Sequence, residues 1–405
     1  MTSPTAEPTG PRLAVVLSHA TQYYSPWFRW LREKTSLCFK VFYLSETGLQ
    51  PTQDEKFGTR FAWDVNLTDG YDWEMVPNTA SRPDVLRFNG LQNPELPARL
   101  REWRPNAILL FGYNYNTHLK LIWWANIHRI PLIFRGDSHL LGRNKLPLLK
   151  GLLLRLLYRR FAAVTYVGNS NSHYFRQLGV PSVNLFFAPH AVDAGHFNPA
   201  NPHHLERTTE LRARLGLAPS TRVVLYAGKL IRAKQPHSLL ECFIQLQPTD
   251  TALVFVGDGE EKNTLQARAA SRPDIAVHFL PFANQSEMPS VYLLADLFVL
   301  PSRSYYETWG LAVNEAMHMG VPCLVSDLVG CQADLVTDRK TGWVFHADSR
   351  EHLRAKLNEA LAVLESDRLA LRSAVLERIS NYTYEQATTG LLAALKHATH
   401  SPNAQ

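Results

Sequence analysis

Two lysines and two glutamates in the C-terminal half of the 405-residue chain have the types and the spacing to bind a ligand that carries phosphate and hydroxyl groups. Lys229 and Lys234 stand in the run LYAGKLIRAK, where Gly228 directly follows an apolar, strand-like segment. Glu307 and Glu315 stand in SYYETWGLAVNEAMHMG. Lysines supply positive charge, and exposed amides at a strand-to-helix junction suit a phosphate group. The carboxylates can accept hydrogen bonds from hydroxyl groups.

Seven residues separate the two glutamates, and one of them, Gly310, lets the backbone turn sharply into a helix. We expect the helix to begin near Thr308, with Glu315 about two turns inside it and Glu307 on the preceding loop. A second segment, VFVGDGE, adds glycine amides after another strand. A pair of glutamates at this spacing is by itself more typical of a solvated helix face. Their location with both lysines at strand-to-helix junctions of one domain favours a binding site.

Parallel α/β sheets must position these residues, because short apolar runs alternate with longer segments of helical periodicity. The pattern restarts after NPANPHHLERTT. We therefore predict two doubly wound, Rossmann-like domains, residues 1–205 and 206–383, that face each other across a cleft. The stretch 195–208 is the predicted linker, and 384–400 is a predicted helix that crosses back to the first domain. The predicted strands are Leu13–Leu17, Val41–Leu44, Ala107–Phe111, Pro131–Phe134, Val164–Val167, Asn184–Ala188, Arg222–Tyr226, Ala252–Val256, Ala276–Leu280, Leu297–Leu300 and Pro322–Val325.

The series GKLIRAK, VFVGDGE, YYETWGLAVNEAMHMGVPCLVSD and GCQADLVTDRKTGWVF resembles the C-terminal half of retaining family 4 glycosyltransferases of GT-B fold. The resemblance implies transfer of a sugar from a UDP- or GDP-linked donor to a hydroxyl of a glycan, a lipid-linked or a small-molecule acceptor, as in polysaccharide biosynthesis. It implies that Lys229 and Lys234 bind the donor diphosphate, that Glu315 binds the ribose hydroxyls, and that Glu307 lies near the donor sugar. Further donor contacts are implied for Gly228, for the amides of Thr308, Trp309, Gly310 and Leu311, and for main-chain groups near Phe282.

No metal and no separate cofactor are expected. Protein cations and aimed amides can stabilise a leaving diphosphate, and the sequence has no Asp-x-Asp motif of the kind that holds a divalent ion in the other large glycosyltransferase architecture.

Site residues in the N-terminal half are less clearly marked. His19 follows the first predicted strand and would point into the cleft, although a lone histidine there is more often structural. After the strand that ends at Phe134, the resemblance places a residue that touches the donor sugar nearest to Asp137, with His139 as the alternative. Asp137 can equally be a helix cap. The segment PHAVD, which contains His190, replaces the usual Pro-Asn-Gly-Val-Asp of the family.

The net charge of +6 and a pI of about 9.1 favour anionic partners. The run 143–161, RNKLPLLKGLLLRLLYRRF, can form a basic amphipathic helix on an anionic membrane surface, or can pack on the sheet with its arginines in solvent. We expect a cytoplasmic protein, because the four cysteines lack CxxC spacing and the sequence has neither an apolar signal sequence nor a run of about 18 apolar residues. If the basic helix lies on a membrane, the protein is peripheral at the inner membrane face.

Three other functions deserve comparison with sugar transfer. A GT-B epimerase or phosphorylase would use a similar fold. A basic protein that binds membrane or nucleic acid without catalysis fits the charge, but the aromatic residues are not interleaved as in RNA-binding motifs, so no nucleic-acid partner is expected. An oxidoreductase is disfavoured because no GxGxxG follows the first strand.

Overall fold

The computed structural model of the chain describes residues 10–49, 52–53, 60–61, 63–143 and 146–400. The prediction about an N-terminal signal depends largely on residues 1–9, which lie outside this range. The strands are β1 (Arg12–Leu17), β2 (Cys38–Tyr43), β3 (Thr52–Gln53), β4 (Arg60–Phe61), β5 (Trp73–Met75), β6 (Ala107–Phe111), β7 (Leu132–Arg135), β8 (Ala163–Tyr166), β9 (Leu185–Phe187), β10 (Arg222–Ala227), β11 (Thr251–Val256), β12 (Val277–Leu280), β13 (Leu297–Leu300), β14 (Cys323–Ser326) and β15 (Gly342–Phe345). The helices are α1 (Tyr24–Lys34), α2 (Leu96–Trp103), α3 (Asn116–Ile127), α4 (Leu148–Tyr158), α5 (Asn169–Gln177), α6 (Pro202–Arg214), α7 (Pro236–Leu246), α8 (Lys262–Ala270), α9 (Met288–Leu293), α10 (Leu311–His318), α11 (Gln332–Leu335), α12 (Arg350–Ile379) and α13 (Tyr384–His400).

The first half of the chain forms a seven-stranded parallel sheet in the order β5-β2-β1-β6-β7-β8-β9. Its central strands are apolar along their length because helices cover both faces, as alternate residues of β1 show: Leu13 and Val15 belong to one buried cluster, Ala14 and Val16 to the other. His19 follows β1 and Asp137 follows β7. Because the strands are parallel, both residues lie at the same edge of the sheet.

The second half forms a six-stranded parallel sheet in the order β12-β11-β10-β13-β14-β15. Strands β10 to β12 are added toward one edge of this sheet and β13 to β15 toward the other. Doubly wound folds bind their ligands where this order switches, here between β10 and β13. The loops after β10, β11 and β13 carry Lys229, Gly257 and Glu307 respectively. The predicted fold class, two Rossmann-like domains of GT-B type, is confirmed.

The predicted linker is wrong in its second part. Helix α6 begins at Pro202, where the Asn201 side chain accepts a hydrogen bond from the His203 amide. An asparagine cap followed by proline at the first helical position is a strong start signal that outweighs the poor apolar periodicity of the segment. The predicted boundary between residues 205 and 206 falls inside this helix and stays a prediction.

The last helix, α13, follows α12 of the second domain and packs on β7, β8 and β9 of the first sheet. Its inner face is apolar, with Leu391 and Leu395 buried, and Trp27 of α1 donates its indole N–H to the Thr388 hydroxyl at 3.0 Å. The chain therefore ties the two domains together twice. Among the described helices, none is both long and apolar enough to cross a bilayer.

Candidate active site

A cavity of about 390 Å³ lies between the two domains at the carboxyl ends of the second sheet. The first domain contributes Gln22 and Tyr23, from the turn before α1, and Trp63. The second domain contributes part of the predicted set, whereas Glu307 and residues 308–311 are not among the lining residues. Those that line the cavity are Gly228, Lys229, Lys234, Phe282 and Glu315.

Close backbone packing shapes the cavity wall that the loops after β10 and β11 form. Gly228 and Gly257 adopt φ values of 153° and 136°, which other residues rarely take. A β-carbon on Gly257 would lie 2.1 Å from the Gly228 carbonyl oxygen, so the loops after β10 and β11 can approach this closely only with glycine at position 257. The Lys229 carbonyl accepts a hydrogen bond from the Tyr226 hydroxyl at 2.7 Å, which fixes the loop while the lysine side chain reaches the cavity.

Lys234 and Glu307 form an ion pair with an Nζ–Oε2 distance of 3.1 Å. Their side chains are 25% and 15% exposed, so the pair lies in the wall of the cleft and is not fully hydrated. Lys234 ends a short 3-10 turn after β10, and Glu307 lies on the loop between β13 and α10. The structure thus brings a cation and a carboxylate from two distant segments together beside the cavity.

Helix α10 begins at Leu311, three residues later than we expect from the sequence. Gly310 takes φ 97° just before it, and a β-carbon there would meet Val329 at 2.9 Å. This left-handed turn delays the helix, so Glu315 lies one turn inside it and not two. The loop residues before Gly310 are correspondingly held by tertiary contacts.

Glu315 is only 3% exposed although it lines the cavity. Its Oε2 accepts a hydrogen bond from the Tyr292 hydroxyl at 2.7 Å, and its Oε1 has no partner of normal geometry. Burial raises the pKa of Glu315 to about 7, and hydrogen bonding from Tyr292, Gln285 and Tyr23 limits the rise. A buried acceptor atom that lacks a full set of donors is well suited to bind ligand hydroxyl groups.

Asp137 links the two domains. Its Oδ2 accepts a hydrogen bond from the Thr308 hydroxyl at 2.7 Å and lies 3.4 Å from His190 Nε2. The low-dielectric surroundings act to raise the pKa of Asp137, but the hydrogen bonds from His190 and Thr308 and the charge of His190 hold it at about 2. Its side chain remains 38% exposed in the cleft, so it is a carboxylate accessible to a ligand at neutral pH.

Trp309 does not line the cavity with its ring. The side chain is 3% exposed, and its indole N–H donates to Asn314 Oδ1 at 2.7 Å. The Asn314 amide in turn donates to the His190 carbonyl at 3.1 Å. The tryptophan therefore joins the loop before α10 to the first domain, and only its main chain remains to contact a donor.

The remaining predicted residues lie at different distances from the cavity. His19 pairs through Nδ1 with the Ser18 hydroxyl at 2.9 Å, and burial lowers its pKa; His139 Nδ1 accepts from the Leu141 amide at 3.1 Å, and burial lowers its pKa too. Neither is among the residues that line the cavity. Phe282 lines both this cavity and a neighbouring one of about 440 Å³. Leu311 is half-buried at the first position of α10.

Several cleft residues were not predicted from the sequence: Gln22, Tyr23, His190, Gln285 and Tyr292. The altered PHAVD segment was a signal for His190, since a polar ring replaces the asparagine of the family pattern. Tyr23, Gln285 and Tyr292 reach Glu315 from three separate elements, and no local pattern marks such a convergence. The part of the chain that the structure describes contains no group of three His, Cys, Asp or Glu side chains placed to hold a metal ion.

Two facing Rossmann-like domains with an interdomain cavity define a GT-B enzyme fold. Solved structures agree: the Anabaena HepE structure in complex with UDP has a TM-score of 0.69 at 15% identity, covering 95% of this chain and 99% of that one. A likeness at this identity shows the fold alone.

Sequence comparison identifies the class of enzyme. Residues 207–374 match the family described as Glycosyl transferases group 1, so this part of the chain is a glycosyltransferase domain. The D-inositol 3-phosphate glycosyltransferase of Segniliparus rotundus is 26% identical over 367 residues, 82% of this chain and 78% of the relative. The GDP-mannose-dependent alpha-(1-6)-phosphatidylinositol monomannoside mannosyltransferase of Mycolicibacterium smegmatis is 30% identical over 240 residues, 57% of this chain and 61% of the relative.

Proposed function

We propose that this enzyme is a retaining family 4 glycosyltransferase that moves a sugar from a UDP- or GDP-linked donor to a hydroxyl of a glycan, a lipid-linked or a small-molecule acceptor. The observation that carries the proposal is that Lys229, Lys234 and Glu315 converge on one interdomain cavity. The names of the relatives support a nucleotide-sugar donor, since one is GDP-mannose-dependent and a structural neighbour was solved with UDP.

The donor nucleotide fits the chemistry of the second domain. Glu315 supplies buried carboxylate oxygens for the two ribose hydroxyls, and Lys229 and Lys234 face the diphosphate from the loop after β10. The main chain near Phe282 borders the base. Glu307, held by its ion pair with Lys234, accepts hydrogen bonds from hydroxyls of the donor sugar.

Bond cleavage places negative charge on the departing nucleoside diphosphate. The bond between the anomeric carbon and the phosphate oxygen breaks, the acceptor oxygen bonds to the same face of that carbon, and the acceptor proton passes to the departing phosphate. This negative charge is larger in the transition state than in the ground state. The transition state is therefore bound more tightly by Lys229, Lys234 and the amides of residues 308–311, which accelerates the reaction.

The first domain supplies a carboxylate on the other side of the cleft. Asp137 is ionised and held by Thr308 and His190, so it can accept hydrogen bonds from the donor sugar and stabilise positive charge at the anomeric carbon. His139 and His19 lie outside the cavity wall of this structure, and we propose contact with substrate for them only in a further closed arrangement of the domains.

We further propose that the reaction needs no divalent cation, because the two lysines neutralise the diphosphate. Turnover after exhaustive chelation with EDTA should equal turnover with added magnesium. Activity that disappears on chelation and returns with magnesium would contradict this part of the proposal.

Mass-spectrometric screening of nucleotide-sugar hydrolysis tests the proposed function, because slow donor hydrolysis reveals the donor before the acceptor is known. We expect one UDP- or GDP-sugar to be hydrolysed by the wild type, and the rate to fall at least about a hundredfold in Glu307→Gln. The matched control is Glu351→Gln, because Glu351 is exposed at the start of α12. The anomeric configuration of the released sugar, measured by NMR at early times, should match that of the donor.

We propose a cytoplasmic location with peripheral contact to the inner membrane face through the basic helix. The helix in the predicted segment 143–161 is α4. Residues 144 and 145 of this segment, which include the basic residue Lys145, lie outside the described residues.

A further inference from the structure

Two neighbouring helices of the first domain present large apolar side chains to solvent. On α3, Leu119, Trp123 and Ile127 are 40%, 69% and 55% exposed. On α4 the exposed leucines range from 47% to 93% of their full area: Leu148, Leu149, Leu152, Leu153 and Leu156. A cluster of this kind is unusual on a soluble surface unless it binds something.

The spacing makes each set a continuous stripe. The α3 residues recur every four positions, and the five α4 leucines fall within an arc of about 140° at 100° per residue. The inner faces of both helices, with Trp124 and Leu154 among them, pack into one core cluster on the same side of the sheet. The Asn126 side chain also reaches the Arg160 carbonyl at 3.5 Å. The two stripes therefore form one surface, the α3–α4 face.

Positive charge lies beside this face. Exposed basic side chains flank the apolar stripes and gather at the carboxyl ends of both helices: Lys120, Arg129, Lys150, Arg155, Arg159 and Arg160. The sequence has no aspartate or glutamate in residues 116–136 or 146–161. An apolar stripe flanked by cations, on helices that carry no acidic residue, matches a bilayer surface, where acyl chains lie beneath anionic headgroups.

We propose that the α3–α4 face docks on an anionic lipid bilayer, with the leucines and Trp123 in the headgroup boundary and the basic side chains on lipid phosphates. This adds α3, which sequence reasoning did not mark, to the basic helix α4. A lipid surface is favoured because exposed basic side chains lie beside both apolar stripes, where a planar anionic layer would meet them.

The docked orientation would place the cleft beside the membrane. Helices α3 and α4 follow β6 and β7, so their first residues lie at the carboxyl edge of the sheet, where Asp137 stands. A lipid-linked acceptor could then reach the cleft without leaving the bilayer. This consequence rests on the proposed sugar transfer, whereas docking itself does not.

Vesicle flotation tests the proposal with the full chain. The probes are phosphatidylcholine vesicles with and without phosphatidylglycerol. We expect the wild type to float only with the anionic vesicles. The double variant Leu152→Ser, Leu153→Ser should weaken partitioning about tenfold or more. The double variant Lys150→Glu, Arg159→Glu should weaken it about twentyfold or more, since each basic residue near an anionic surface contributes roughly fivefold.

Leu369→Ser is the matched control, because this leucine is 81% exposed on α12 of the second domain. It should float like the wild type. All variants should hydrolyse donor at the wild-type rate, which also shows that they fold and separates a failure of docking from a failure of the proposed function. A wild type that ignores anionic vesicles, or variants that bind them as well as the wild type does, would overturn the proposal. So would self-association in sedimentation velocity that the leucine variant abolishes, because the face would then be a contact between two copies.

Discussion

Glu315 should make donor affinity depend on pH. Its pKa is about 7 in the free enzyme, and ribose hydroxyls bind a carboxylate better than a neutral acid. The dissociation constant of the nucleotide sugar should therefore rise about tenfold from pH 8 to pH 6. Glu315→Gln should bind weakly and equally at both values. Calorimetry measures this, and a wild-type affinity that is constant over this range would refute the assignment.

The same residue should lower stability in exchange for function. A carboxyl whose pKa is raised on folding costs nothing below its unfolded pKa near 4.5, and the full cost is present above about pH 7. At pH 8, Glu315→Gln should therefore unfold at a higher urea concentration than the wild type. Its free energy of unfolding should be higher by about 3 kcal/mol at most. At pH 4.5 the difference should be much smaller. A variant that is equally destabilised at both pH values would speak against a raised pKa.

Gly168 at the N-cap of α5 should tolerate no side chain, although its φ of −178° is ordinary extended backbone. A β-carbon there would lie 2.5 Å from the Trp309 ring and 2.7 Å from Asp334 Oδ2. Gly168→Ala should lower the free energy of unfolding by about 1–3 kcal/mol and reduce donor hydrolysis, because Trp309 anchors the loop before α10. Gly151→Ala, with open space around it, should not destabilise. Urea unfolding of both variants decides this, and equal stability would contradict it.

The elements were largely predictable because most strands are buried on both faces and appear as unbroken apolar runs. Strands β3, β4, β5 and β15 were missed because they are only two to four residues long, and in β15 the glycine at 342 and the exposed residues 337–340 before it interrupt that pattern. The start of α10 was misplaced because the φ of Gly310 depends on Val329 and Leu300, which the local sequence does not reveal. The grouping of Lys229, Lys234, Glu307 and Glu315 at one end of the second sheet was predictable from local motifs, and their role as site residues stays a prediction. The Asp137–Thr308–His190 contacts arise only when the domains meet.

At the scale of the whole molecule, α13 completes the first domain after the chain has built the second. Leu391 is 1% exposed against the first sheet, and its neighbour Leu392 is 38% exposed. Leu391→Ala should lower the free energy of unfolding by about 2–5 kcal/mol, because it leaves a cavity under the helix. Leu392→Ala should change it little. Thermal unfolding compares the two, and a similar midpoint for both variants would show that α13 is not needed for the stability of the first domain.

The central claim is that lysines and a buried glutamate bind a nucleoside diphosphate in the interdomain cavity. Calorimetric titration of UDP and GDP into the wild type, Lys234→Ala and Glu315→Gln tests it most directly. We predict that one nucleotide binds the wild type and that each substitution weakens it by about tenfold or more, as expected for loss of hydrogen bonds to charged groups. Undiminished affinity in both variants would contradict the account.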